Sequence, residues 1–143
     1  MHASGRRRPS LLGDASIELH AASTARDTDF TARLCAVDRD GRSTNVKEGI
    51  VRARFRKSAA DPSLLEPGEA VRYTIPLGPI GIRLAAGQRI RLDISSSDFP
   101  QWDRNLNTGG RLGAEPATVA VVATQTVFHD ALRPSRLLLS VVE

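Results

Sequence analysis

Apolar and polar residues take turns along most of this chain with a period of two. Val51, Ala53 and Phe55 alternate with Arg52, Arg54 and Arg56. Val71, Tyr73, Ile75 and Leu77 alternate with Arg72, Thr74 and Pro76. The same holds for Ile90, Leu92 and Ile94 against Arg89, Arg91 and Asp93, and for Ile17, Leu19 and Ala21 against Ser16, Glu18 and His20. Successive side chains of an extended strand point to opposite faces, so each run buries one face and wets the other. One buried face per strand is the mark of antiparallel sheets. Strands are expected near residues 15–22, 30–38, 44–56, 70–77, 88–96, 117–129 and 136–142. That many short strands divided by turns predicts an all-β chain, an antiparallel β-sandwich of the jelly-roll kind.

The turns are legible too. Asp38-Arg39-Asp40-Gly41 is expected to close a hairpin with Gly41 at positive φ. Pro67-Gly68 and Ala86-Gly87 precede two further strands. Asn107-Thr108-Gly109-Gly110 falls in a long loop, roughly Ser97 to Pro116, and a loop of that length is either functional or mobile. The 44–56 run is expected to bend at Gly49.

Composition sets the outer limits. The 143 residues suffice for one domain, and 41% apolar with 25% charged residues is a globular balance. No run of 18 apolar residues occurs, which excludes a membrane-spanning helix. A single cysteine, Cys35, excludes an internal disulfide and a cysteine-based zinc site. It reads as an inert, small core residue. Arg6-Arg7-Arg8 is not followed by an apolar stretch, so no secretory signal is read and the expected compartment is the cytoplasm. Residues 1–12 are expected to be a basic disordered tail and residues 13–143 a single β-sandwich domain. The net charge of +4 and pI near 10.2 reflect eighteen arginines against two lysines. These arginines are spread along the chain among 16 acids, at positions that strand geometry points to water. A solvated sheet face is expected, with neither nucleic acid nor membrane as partner.

A search for chemistry finds no reactive centre. No G-x-S-x-G elbow occurs. A serine nucleophile needs a base within hydrogen-bond reach, and only His2, His20 and His129 offer an imidazole. His129, Asp130 and Ser135 are near in sequence, but neighbours on an extended chain point apart, so Asp130 is poorly placed to orient His129. A structural hydrogen bond at a strand end is the reading adopted. Asp27-x-Asp29 and Asp38-x-Asp40-Gly41 resemble pieces of a calcium loop without its remaining ligands, and are read as turn-stabilising carboxylates. Neither metal nor cofactor is expected. Phe99 and Trp102, with Arg104 and Asn105 after them, are read as capping one end of the sandwich or meeting a partner.

Several segments together resemble one family. They are Asp27-Thr28-Asp29-Phe30, Val37-Asp38-x-Asp40-Gly41, Gly49 through Arg56, Pro67-Gly68-Glu69 and Gly87 through Leu92. The most distinctive is Ser95-Ser96-Ser97-Asp98-Phe99-Pro100, with Asp103-Arg104-Asn105 and Asn107-Thr108-Gly109, and Thr124 through Asp130 then Pro134-Ser135-Arg136-Leu137 close the set. From about Gly13 to Val142 the chain looks like the C-terminal jelly-roll domain of the X-prolyl dipeptidyl-peptidase and cocaine esterase-like (CocE/NonD) serine hydrolases. The resemblance implies a galactose-binding-domain-like jelly roll lacking its first strand. It implies a non-catalytic domain that packs on an α/β-hydrolase catalytic domain, in cis or in trans, and shapes its active site. The family cleaves esters, amides or X-Pro peptides with a Ser-Asp-His triad that lies outside this domain, so no catalytic residue carries over and the chain alone is expected to be inactive. A detached or truncated domain, and a homo-oligomer formed through an exposed sheet edge, are further expectations. Ser95, Ser96, Phe99, Pro100, Trp102, Arg104 and Asn105 are expected to form the loop that ties the sheets and meets the catalytic domain, with Arg104 anchoring it by bidentate hydrogen bonds. The alternative is a free-standing carbohydrate- or protein-binding jelly-roll module that presents Trp102 in a concave face.

Overall fold

The computed structural model of the chain describes residues 9–142. The basic cluster Arg6–Arg8 lies outside the described residues. Among the described residues, eight strands form two antiparallel sheets. The first sheet joins β4 (Val71–Arg83) to β1 (Ser10–Ser23), and the other edge of β1 carries β6 (Gln125–Val127), β7 (Arg136–Leu138) and β8 (Val141–Val142) in turn. The second sheet has the order β3 (Ser43–Arg52), β2 (Asp29–Val37), β5 (Arg89–Ser95). The sheets face each other over one core, which makes the expected β-sandwich. No helix of the described residues is long and apolar enough to cross a membrane.

The alternation explains the core. Ile17, Leu19 and Ala21 of β1 and Tyr73, Ile75 and Leu77 of β4 are buried, and Phe30, Ala32 and Leu34 of β2 meet them from the other sheet. The Phe30 and Tyr73 rings lie 5.0 Å apart at 51°, tying sheet to sheet in the tilted geometry aromatic pairs favour. Burial pushes the Tyr73 phenol up to about 12. Cys35 is buried, but it sits on the opposite face of β2 from Leu34, with Sγ 4.0 Å from Asp93 Oδ2. The hairpin turn forms as read: Gly41 has φ +85°, its N–H donates to Asp38 O, and Asp38 Oδ1 accepts from the Asp40 and Arg42 amides.

Four expectations differ from what forms. β1 begins at Ser10, so the strand takes three residues of the segment read as tail. β3 stops at Arg52 and Ala53–Phe55 is a 3-10 turn, which leaves Phe55 partly exposed. The bulge of β3 is at Val46, where Leu34 pairs Lys47 and Cys35 pairs Asn45. Gly49 stays in register with Ala32, and a Cβ there would lie 2.3 Å from Pro76 O, so the residue serves a close approach rather than a bend. Of the run 117–129, Ala117–Val119 is a 3-10 turn and only Gln125–Val127 is strand. Val119, Val121 and Val122 stand exposed. The edge of β1 that this segment reaches is shared with β7 and β8, which leaves it three residues of pairing.

The two sides of the sandwich differ. On one, β3 packs against β4 through Gly49 and Pro76, closing the core. On the other, a cleft of about 270 Å³ runs between the sheets, lined by aliphatic side chains that include Ile17, Leu19, Leu92 and Leu137, and by His129, Ser135 and Arg136.

Candidate functional site

The long loop after β5 is fastened to the sandwich by a buried polar cluster. Asp27 and Asp29 flank the start of β2, and both are almost wholly buried. Asp29 and Arg52 are cross-strand partners, and Arg52 grips the carboxylate with two bonds of 2.9 Å, Nε to Oδ1 and Nη2 to Oδ2. Arg54 Nε donates to Asp27 Oδ2 at 2.8 Å, and its amide donates to Oδ1 at 3.1 Å. Asn105 then donates its side-chain amide to both acids, 2.9 Å to Asp27 and 2.8 Å to Asp29. Arg52 Nη2 adds a 3.2 Å bond to Asp103 O. Such charge-assisted bonds are short, directional and strong where water is excluded. Donation to the Asp29 carboxylate holds the Arg52 guanidinium above its usual range.

This corrects three readings. Arg52 and Arg54 are not solvated members of an outer face, because both turn onto buried carboxylates. Asp27 and Asp29 are not turn acids alone, because they receive the loop. The bidentate fork expected of Arg104 belongs to Arg52. Arg104 instead lays its guanidinium 4.6 Å over the Phe99 ring and makes no ion pair among the described residues. A sequence signal did exist. Asp27-x-Asp29 and Arg52-x-Arg54 are matched pairs at strand ends, with a spacing that puts like residues on one face.

The remaining loop residues occupy distinct places. Ser95 Oγ donates to Ser97 O at 3.0 Å and closes the strand end. Ser96 is exposed. Asp98 accepts Arg33 Nη2 at 3.0 and 3.1 Å, and Arg33 Nε donates to Glu48 at 2.6 Å, so the loop's start is also tied to β2 and β3. Phe99 precedes Pro100 through a cis peptide and is 55% exposed. Trp102 is half-buried, with its amide on Asp98 O. Further on, Asn105 Oδ1 accepts the Asn107 amide, Asn107 Nδ2 reaches Val121 O, and Thr108 bonds Glu115. Gly110 lets the Glu115 carboxylate lie close against the backbone, since a Cβ there would fall 2.4 Å from Oε1 unless the side chain moved. An open groove of about 400 Å³ beside the loop is lined by Phe99, Asp103, Arg104, Leu106, Glu115 and Ala117, among others, and Trp102 is not part of its wall.

The loop is anchored at its base and leaves four large apolar side chains in water. Phe99, Val119, Val121 and Val122 lie on this one loop with 55%, 44%, 47% and 97% of their area in water. Sequence reasoning missed the three valines because it took them for strand. The hint was a run apolar at both parities from Val119 to Ala123, which a half-buried strand does not show. At the other candidate position Ser135 and Asp130 are engaged elsewhere, while His129 bridges Pro134 through its backbone and lines the cleft between the sheets. Ser135 Oγ donates to Phe128 O at 2.7 Å and accepts the His20 amide, and Asp130 caps its own turn and pairs with Arg133. That pairing holds the Asp130 carboxyl below its usual range.

Residues 7–138 match the family described as the X-Pro dipeptidyl-peptidase C-terminal non-catalytic domain. A cocaine esterase of Rhodococcus sp. (strain MB1 Bresler) is 37% identical over 133 residues, which are 93% of this chain and 23% of the esterase. The solved structure of an aminopeptidase from a marine sediment Thaumarchaeota archaeon superposes with TM-score 0.90 at 26% identity over 96% of this chain. An α-amino acid ester hydrolase superposes with TM-score 0.87 at 26% identity over 94%. In both, the matched part is 24% of the longer protein. The chain thus spans about a quarter of the length of these relatives.

Proposed function

The chain belongs to the X-Pro dipeptidyl-peptidase C-terminal non-catalytic domain family, and from that premise we propose that it serves as the β-domain of an ester-, amide- or X-Pro-peptide-cleaving α/β-hydrolase. In this reading it packs on the catalytic domain and walls the active site without supplying a reacting group. The observation that carries it is the loop. Phe99, Val119, Val121 and Val122 stand in water on a segment that Asn105 fastens to two buried ion pairs. Large apolar side chains left in water on a loop anchored at its base mark a docking surface. The seven loop residues then divide the work: Ser95, Trp102 and Asn105 hold the shape, while Ser96, Phe99, Pro100 and the Phe99-stacked Arg104 face the partner.

The test is a chimera in which this chain replaces the matched quarter of the cocaine esterase. The chimera is expected to hydrolyse an ester, and the chain alone is not. Phe99→Ala with Val122→Asp is expected to lower activity of the chimera while leaving the isolated chain folded. A chimera indifferent to both substitutions rules the docking surface out, and ester turnover at enzymatic rates by the isolated chain rules out the non-catalytic role.

A further inference from the structure

We propose that Asn107 is a positioning residue for the docking surface. It carries the fixed place of the buried Asp27–Asp29 pair out to Val121, 14 residues further along the chain, and so to Val122 beside it. This rests on the reading that the loop meets a hydrolase domain. It goes beyond that reading by giving the two halves of the surface, the valines and Phe99, separate holds.

The path is a run of hydrogen bonds that starts in the core. Asn105 Nδ2 donates to the buried Asp27 and Asp29 carboxylates, and Asn105 Oδ1 accepts the Asn107 amide at 3.0 Å. Both ends of one side-chain amide are thereby used. Asn107 then takes φ +62°, the one positive φ outside glycine among the described residues. Asparagine enters that left-handed region more readily than most side chains. From there its Nδ2 donates to Val121 O at 2.9 Å, while the Val121 amide donates to Leu106 O at 2.9 Å. Val121 is therefore held through both of its backbone groups by two adjacent residues. No strand ladder includes Val121 or Val122, and Val122 is 97% exposed, so neither pairing nor packing fixes this segment. The next hold is at Thr124, whose amide donates to Thr24. Phe99 is kept by other means. Asp98 accepts from Arg33, the Trp102 amide bonds Asp98 O, and Arg104 lies over the ring. None of these contacts shares a residue with the path through Asn105 and Asn107.

A double-mutant cycle in the esterase chimera tests the separation. Asn107→Gly permits the left-handed backbone and removes only the Nδ2 donor. It is expected to lower kcat/KM for ester hydrolysis about fivefold. Asn107→Asp keeps the shape but sets a carboxylate against Val121 O, and is expected to lower it about tenfold. Circular dichroism of the isolated chain is expected to be that of wild type for both. Val122→Asp is expected to cost clearly less in the Asn107→Gly background than in wild type, because the side chain it alters is already out of place. Phe99→Ala is expected to cost the same factor in either background. A residue that merely stabilised the fold would not distinguish Val122 from Phe99. Several results overturn the proposal: full activity of both Asn107 variants, independent effects of Asn107→Gly and Val122→Asp, or an unfolded Asn107→Gly chain. If Val122→Asp and Phe99→Ala still lower activity in those cases, the docking surface stands without this hold. A chimera indifferent to Val122→Asp and Phe99→Ala removes both.

Discussion

The two sides of the sandwich are built from similar alternating strands and finished in opposite ways. At the β3–β4 side the backbones approach until only glycine fits at position 49 against Pro76 O, and Leu34, Ile75 and Leu77 are shut from water. At the β5 side the strand carries the same pattern, yet Ile90, Leu92 and Ile94 are only half-buried and a cleft separates the sheets. Alternation decides which face a side chain takes. The presence of a neighbour decides whether that face is dry. The polar cluster at Asp27 and Asp29 belongs with the closed side, since its arginines come from the end of β3, and through Asn105 it lends that rigidity to the loop.

The sharpest break of this contrast is Asp27→Ala. It strands Arg54 without its acceptor and leaves Asn105 with Asp29 alone, and losing one partner of a buried pair costs about 3–5 kcal/mol. Urea denaturation should register that cost, while Asp98→Ala, which loses only the exposed contact to Arg33, should fall within about 1 kcal/mol. Next is a matched pair of truncations. Leu34→Ala on the dry side is expected to cost about 2–5 kcal/mol and Leu92→Ala on the open side about 1–2 kcal/mol. Equal costs would erase the distinction. Gly49→Ala should cost about 1–3 kcal/mol, because the added methyl meets backbone that cannot turn aside. Gly81→Ala is the control, since its Cβ would lie 3.6 Å from the flexible end of Leu12.

The smallest effect concerns the interior they share. Tyr73 Oη lacks a hydrogen-bond partner among the described residues. Tyr73→Phe is expected to be neutral or to stabilise by about 1 kcal/mol. The phenol's pKa is raised to about 12 from the ordinary 10.0. The unfolded chain therefore gives up this proton first, and the associated stability is present below about pH 10 and is lost as pH rises toward 12. Wild type should lose stability over that window more steeply than Tyr73→Phe. Parallel curves would show that the phenol is not the group responsible.

Much of this was written in the residue order. Period-two alternation placed Ile17, Leu19, Tyr73 and Ile75 in the core, and Asp38 with Gly41 specified the hairpin, because both rest on contacts between near neighbours. The loop residues were also legible as a group. Their individual roles were not, since Asn105 meets Asp27 across 78 positions of sequence and Arg104 found Phe99 instead of a carboxylate. The valines from 119 to 122 were misplaced for a related reason. Strand propensity is local, but a strand forms only where an edge is free to receive it, and β7 and β8 had taken most of the edge of β1. Sequence alone determined which residues are able to face inward. Tertiary structure decided which of them do, because burial and ion pairing depend on what stands opposite, and that is set by the closure of the whole chain.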